Sequence, residues 1–216
     1  MSKRIVKGSK IGTALFNYIN NNKREYLIVI ILFFIGLIIG VLFVNNLNDI
    51  KITEVNNYLN ELCNNITQKE NIDLFDIFKK SMKSNIFIMF LLWLGASTIV
   101  GIPIVYGINI VKGFSIGCTI SCLLSSLGTG NGLLLSFSFL MLHNIIFIPV
   151  MFSTCVSGVK LYKSIMKNKQ RNNIKIEILR HTIFCLLMLA LLIFSSLIEA
   201  YVSTNISILL LNYIKI

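Results

Sequence analysis

One stretch decides the fold: residues 112–149, which read KGFSIGCTISCLLSSLGTGNGLLLSFSFLMLHNIIFIP. A glycine-rich hinge at 128–132 divides it into two apolar runs. As a helix, the first run, 113–127, is only about 22 Å long, whereas the hydrocarbon core of a bilayer is about 30 Å thick. We therefore expect either a short span buried among other helices or a re-entrant segment, and this choice sets the topology of all that follows.

The composition is that of a membrane protein. Hydrophobic residues make up 55% of the chain and charged residues only 13%, and several apolar runs approach the length of a bilayer span. The formal net charge is +11, but the basic residues flank apolar runs, which favours membrane lipids over nucleic acid as partners. We predict an all-α, polytopic membrane helix bundle that forms a single integral membrane domain over residues 1–216.

Five apolar runs are candidate transmembrane helices. They cover approximately residues 26–44, 85–111, 113–127, 133–159 and 182–203. Pro103 and Pro149 each lie inside a run, where proline removes a backbone hydrogen bond and is expected to kink the helix. We expect about five transmembrane helices with a short third span.

The distribution of basic residues distinguishes five spans from four. The loop at 160–180 is the most basic stretch of the chain, and the first 25 residues are also basic. The positive-inside rule places both in the cytoplasm, which requires that the third run cross the membrane completely. The expected topology therefore has the N-terminus and the 160–180 loop in the cytoplasm, with the 45–84 loop and the C-terminus outside it.

Amphipathic patterns indicate interfacial helices beside the spans. Residues 1–25 combine basic side chains with an apolar stripe at helical spacing, which predicts a cytoplasmic helix lying on anionic lipid. A frayed basic tail is the alternative. Within the extracytoplasmic loop at 45–84 we expect two further helices, the second capped by Asp73 through the backbone amides of Phe75 and Asp76.

Small residues recur at intervals of four in two of the spans. This spacing puts them on one helix face, where two backbones can approach closely in lipid. The residues are Gly36, Gly40, Gly113, Gly117, Ser121 and Ser125. We interpret them as helix-packing positions, used within the chain or against a second copy of it in a homo-oligomer. A lumen lined by small polar groups is the alternative for the last four.

Three polar residues lie at membrane depth: His143, Asn144 and Glu199. Polar groups in hydrocarbon need partners, so we expect them to hydrogen-bond between helices or, alternatively, to pass a proton or an ion. For Glu199 a third alternative is extension to the outer interface. The rise of His143 and Glu199 along their spans differs by about two turns, which argues against direct pairing.

The usual catalytic motifs are missing from the sequence. It has no nucleophile elbow, no phosphate-binding loop and no zinc-binding HExxH helix, and its five cysteines show no metal-ligand spacing. We therefore predict no catalytic, cofactor-binding or metal-binding residues, and we do not expect an enzyme.

Three short motifs resemble the stage II sporulation protein M family. They are KGFSIG at 112–117, LHNIIFIP at 142–149 and IEAYV at 198–202. The resemblance rests on their order and spacing, covers essentially the whole chain and includes the five-span layout.

The resemblance implies a noncatalytic membrane scaffold in the engulfment machinery of endospore-forming bacteria, on the mother-cell side of the sporulation septum. Such a scaffold recruits and localises peptidoglycan-degrading partners, stage II sporulation proteins D and P. From the residues alone, a transporter or channel subunit remains an open alternative. A membrane-bound enzyme would need a converging set of ionisable groups that the sequence does not display.

Overall fold

The computed structural model describes residues 18–47, 57, 73–98, 101–167 and 171–214. Every regular element among these residues is a helix. In chain order the helices are α1 (Lys23–Asn45), α2 (Leu74–Ser97), α3 (Gly101–Ser136), α4 (Leu142–Lys167), α5 (Arg171–Ile198) and α6 (Thr204–Ile214). Two π-helical turns, Phe137–Met141 and Glu199–Ser203, join α3 to α4 and α5 to α6.

Within the described residues, four stretches are long and apolar enough to cross a membrane: Lys23–Asn45, Gly101–Ser136, His143–Met166 and Ile174–Leu210. Helix α2 has lysines in its first half, but its second half is apolar and buries Met89, Leu92 and Ala96 in the core. The prediction of an all-α, polytopic membrane helix bundle is confirmed.

The predicted boundary between the second and third spans, near residue 112, is wrong. Helix α2 ends at Ser97, and the following Thr98 is extended, with its hydroxyl donating to the Gly95 carbonyl oxygen at 2.9 Å. Helix α3 begins at Gly101, so Pro103 falls in its first turn, where the missing proline N–H has no helical partner to lose. The chain therefore turns just before Pro103 instead of kinking at it.

The prediction of a short third span is also wrong, because α3 begins at Gly101. Between Gly101 and Leu127 helix α3 is unbroken, and its non-helical residue is Gly128, with a φ of 76° that glycine adopts at little cost. The unbroken part is about 40 Å long, which exceeds a bilayer core of about 30 Å. Residues 113–127 are thus the second half of a full-length helix.

Helices α1 and α3 pack in parallel through glycine. Gly36 faces the backbone of Ile110, and one turn later Gly40 faces the backbone of Phe114. A Cβ atom on either glycine would overlap the carbonyl oxygen opposite. Only glycine therefore permits this approach, as is typical of close helix packing in lipid.

Helix α5 runs antiparallel to α2. Near one end of the bundle Trp93 Nε1 donates to Thr182 Oγ1 at 3.0 Å, and farther along Asn85 Nδ2 donates to Ser196 Oγ at 2.8 Å. The end with Trp93 and Thr182 collects basic residues, so we call it the basic end and its opposite the far end. These basic residues are Lys23, Arg24, Lys160, Lys163, Lys175 and Arg180.

The predicted cap of α2 is confirmed. The Asp73 carboxylate accepts hydrogen bonds from the backbone amides of Phe75 at 3.0 Å and Asp76 at 3.4 Å.

Pro149 lies on the exposed side of α4, which continues through it to Lys167. Most of the predicted N-terminal amphipathic helix, residues 1–17, and the first predicted helix of the 45–84 loop lie outside the described residues.

Candidate functional site

Four polar side chains meet between α2, α4 and the end of α5, and we call them the polar cluster: Ser81, His143, Ser195 and Glu199. His143 Nδ1 lies 3.2 Å from Glu199 Oε2, and the Ser81 hydroxyl donates to the same carboxylate oxygen. Ser195 Oγ lies 2.9 Å from His143 Nδ1. One carboxylate therefore ties three segments of the bundle together.

The hydrogen bonds assign a proton to His143 Nδ1. The Ser195 hydroxyl donates its single proton to the His143 carbonyl oxygen at 3.1 Å, so its oxygen accepts from the ring. An ionised carboxylate is likewise only an acceptor. The ring also stacks on Phe147, with centroids 5.2 Å apart. The hydrogen bonds at the ring edge and the stacking on the ring face together fix the orientation of the imidazole.

Lys112 faces the polar cluster across a cavity of about 150 Å³. Its ammonium lies 4.5 Å from the centroid of the Phe147 ring, a cation–π contact. Residue 112 follows Gly101 by 11 positions, or about 16 Å along the helix, which is close to the middle of a bilayer core. The cavity has room for several waters of about 30 Å³ each, so a lysine and a carboxylate share one polar space at membrane depth.

Buried serines join the two π-helical turns. The Ser203 hydroxyl donates to the Ser138 carbonyl oxygen at 2.6 Å, and the Ser138 and Ser207 hydroxyls are 2.9 Å apart. Such turns locally widen a helix and occur frequently at functional sites. Glu199 opens the second turn and His143 follows the first by two residues. These local irregularities place the acid and the imidazole at the same height.

The predicted separation of His143 and Glu199 by about two turns is therefore wrong. Residues 133–141 precede α4 and belong to the end of α3 and the π-helical turn, so they do not add to the depth of His143. His143 is the second residue of α4, near the far end, as Glu199 is. Asn144, the third polar residue predicted at membrane depth, is also buried, with 8% of its surface exposed.

Three residues of this site have no place in the sequence prediction: Lys112, Ser81 and Ser195. Lys112 lies between the predicted runs 85–111 and 113–127, which the sequence analysis assigns to two different spans. The signal in the sequence that Lys112 lies inside one helix is that mostly apolar residues extend for about ten positions on either side of it. Serines are too common in this chain for Ser81 or Ser195 to stand out.

The predicted packing residues on α3 divide into two groups. Gly113 and Gly117 face α1, and a Cβ atom on either would overlap a backbone carbonyl oxygen of that helix. Ser121 continues this face and donates to Asn45 Oδ1 at 3.1 Å. Ser125 is exposed and bonds within its own helix. The close contact with α1 thus extends as far as Ser121.

An acid, an imidazole and an amine around a small cavity can act in two ways. They can hold helices together, or they can exchange protons with water in the cavity. Within the described residues, no group of three or more His, Cys, Asp or Glu residues is placed to hold a metal ion.

The fold and this site define a polytopic helical membrane protein with half-buried charged side chains between its helices. The family model for stage II sporulation protein M matches residues 29–204, from α1 to the start of α6. The chain belongs to the stage II sporulation protein M family, as the three motifs indicate. None of the curated proteins and none of the solved structures compared with the chain matches it.

Proposed function

We propose that this chain is a noncatalytic membrane scaffold that recruits and localises peptidoglycan-degrading partners at the septum during engulfment. The observation that carries the proposal is the family match over residues 29–204, which identifies a sporulation membrane protein. The partners are stage II sporulation proteins D and P, and the scaffold acts on the mother-cell side of the septum.

The geometry of the bundle supports this role. The positive-inside rule assigns the basic end to the cytoplasm, so the far end faces the compartment that contains the cell wall. Residues 48–72 follow α1 and precede α2 in the sequence, and the end of α1 and the start of α2 both lie at the far end. The polar cluster ties α2 to α4 and α5 through Ser81. Helix α1 is fixed on α3 by the close contacts at Gly36 and Gly40. A partner-binding segment at the far end would therefore have two anchored ends.

Co-purification from sporulating cells in mild detergent tests the proposal. The full chain is expected to retain both peptidoglycan-degrading partners. Replacing residues 48–72 by a glycine-serine linker of equal length should release them, while Lys175→Gln at the basic end should not. Consistent absence of hydrolases from the full-length preparation, or their retention by the linker variant, would contradict the proposed mode of recruitment.

A transporter or channel subunit is the second candidate function, because Lys112, His143 and Glu199 surround a polar cavity at membrane depth. Proton flux into vesicles that contain the purified chain discriminates between the two. Flux that is lost in Glu199→Gln and kept in Glu177→Gln, a control at the basic end and outside this cavity, would favour transport over the scaffold.

A further inference from the structure

A second polar cavity, of about 280 Å³, lies between α4 and α5 at the basic end. Its walls carry two cations, Lys160 and Arg180, together with the Glu177 carboxylate, the His181 imidazole and the hydroxyls of Ser157, Ser164 and Tyr18. The volume is several times the roughly 30 Å³ that a water molecule occupies. The cavity can therefore hold a group larger than water, and its donors define which group that is.

The cavity carries an excess of positive charge. Arg180 Nη1 lies 3.0 Å from the carboxylate of Glu177, an ion pair between residues one turn apart on α5. Lys160 makes no ion pair within the described part of the chain; its ammonium lies 4.9 Å from the centroid of the Tyr18 ring. The charge of Lys160 also acts on Glu25, which pairs with Lys163 Nζ at 2.8 Å. The cations Lys160, Lys163 and Arg180 therefore outnumber the carboxylates Glu25 and Glu177 by one.

Aromatic contacts hold the wall of the cavity in place. The Tyr18 ring stacks on Phe184 with centroids 6.1 Å apart, which attaches the segment before α1 to α5. Burial raises the pKa of Tyr18 to about 12, so the phenol remains a neutral hydrogen-bond donor. Ser157 and His181 Nδ1, 2.9 Å apart, satisfy each other. Lys160, Ser164 and the remaining N–H groups of Arg180, whose Nη1 pairs with Glu177, are therefore the donors available to a ligand.

We propose that this cavity binds a phosphate group, with Lys160 and Arg180 as its cationic ligands and the Ser164 hydroxyl as a further donor. Arginine and lysine are the usual partners of phosphate oxygens, the first through its planar fork and the second as a point charge. The cavity opens between two membrane-crossing helices at their basic end, the level at which lipid headgroups lie. The phosphodiester of an anionic lipid and free inorganic phosphate share the required chemistry.

The full chain in a neutral detergent is titrated with phosphatidylglycerol or with inorganic phosphate at constant ionic strength, and the midpoint of thermal unfolding is followed. We expect saturable stabilisation by the lipid. Lys160→Gln should weaken its apparent affinity about tenfold, the usual effect of losing one charge-assisted hydrogen bond. Lys175→Gln removes the same charge from the same end of the bundle but outside the cavity, and should change the affinity less than twofold. Native mass spectrometry of retained lipid gives a second readout.

Each outcome bears on the proposal. Saturable binding of the lipid alone assigns the cavity to a headgroup, and equal saturation by inorganic phosphate assigns it to free phosphate. Equal weakening in Lys160→Gln and Lys175→Gln would mean that only the general surface charge acts, and the proposal would fail. It would also fail if neither probe gave saturable stabilisation.

Discussion

The glycine contact between α1 and α3 predicts opposite effects for the same small change at two positions of one helix. Gly117 faces the backbone of Leu37, and a Cβ atom there would overlap its carbonyl oxygen. Gly107 has no atom within 4 Å of the corresponding position. Both glycines lie in the unbroken, helical part of α3. Gly117→Ala and Gly107→Ala therefore add one methyl group to the same helix and differ in what it meets.

The expected magnitudes follow from these surroundings. At Gly117 the obstacle is backbone, which no rotamer change can remove, so α1 must move outward and the close packing is lost. Overpacking of this kind costs about 1–3 kcal/mol. At Gly107 the methyl group enters open space and the helix gains conformational stability, about 0.5–1 kcal/mol in favour of alanine. Gly117→Ala should lower the free energy of unfolding and Gly107→Ala should raise it.

Reversible unfolding in mixed micelles, followed by circular dichroism, measures both variants under one condition. Insertion and a single gel-filtration peak are checked first, since an aggregated variant has no defined stability. If Gly117→Ala proved as stable as Gly107→Ala, the parallel α1–α3 contact described above would be refuted.

Three further predictions concern the polar cluster, the hinge and the topology. Glu199→Gln should destabilise the bundle by about 1–2 kcal/mol, because the charged acceptor of Ser81 and His143 is lost. Glu177→Gln removes only an ion pair with the exposed Arg180 on the same helix and should cost about 0.5 kcal/mol or less by the same unfolding measurement. Gly128→Ala should cost about 1 kcal/mol from its positive φ alone; Gly130→Ala, which also meets open space but has no positive φ, should cost less. In a Cys63→Ser background, an impermeant maleimide should label Asn57→Cys in intact cells and Gln170→Cys only after permeabilisation; labelling of both in intact cells would contradict the five-span topology.

Sequence patterns identified the class of fold because hydropathy depends on composition over long windows. The all-α membrane bundle and the Asp73 cap needed only local information. The turn between α2 and α3 did not follow from the same information, since residues on both sides of Thr98 are apolar and no charge marks the break. Lys112, which does carry a charge, lies at the predicted boundary between the runs 85–111 and 113–127. Its charge is accommodated inside a helix by the Phe147 ring and the cavity, which come from distant parts of the chain.

The sequence predicted two members of the candidate site, His143 and Glu199, but not their contact. His143 and Glu199 stand out because ionisable residues at membrane depth are rare. Their direct contact depends on two π-helical turns, Phe137–Met141 and Glu199–Ser203, which shift the helix register locally. Hydrophobic periodicity does not reveal such turns, because it assumes a constant rise and twist per residue.

The surroundings of the polar cluster favour a structural tie over a path for ions. A path must continue through the membrane, so the side chains of α4 between the cluster and the basic end should be polar or exposed to water. Instead Phe147, Met151, Cys155 and Val156 follow His143 on α4, each no more than 1% exposed. Together they form part of the apolar core. His143 and Glu199 thus lie near the far end, where with Ser81 they join α2, α4 and α5. A scaffold requires helices held in one arrangement, and this distribution of polar and apolar side chains provides it.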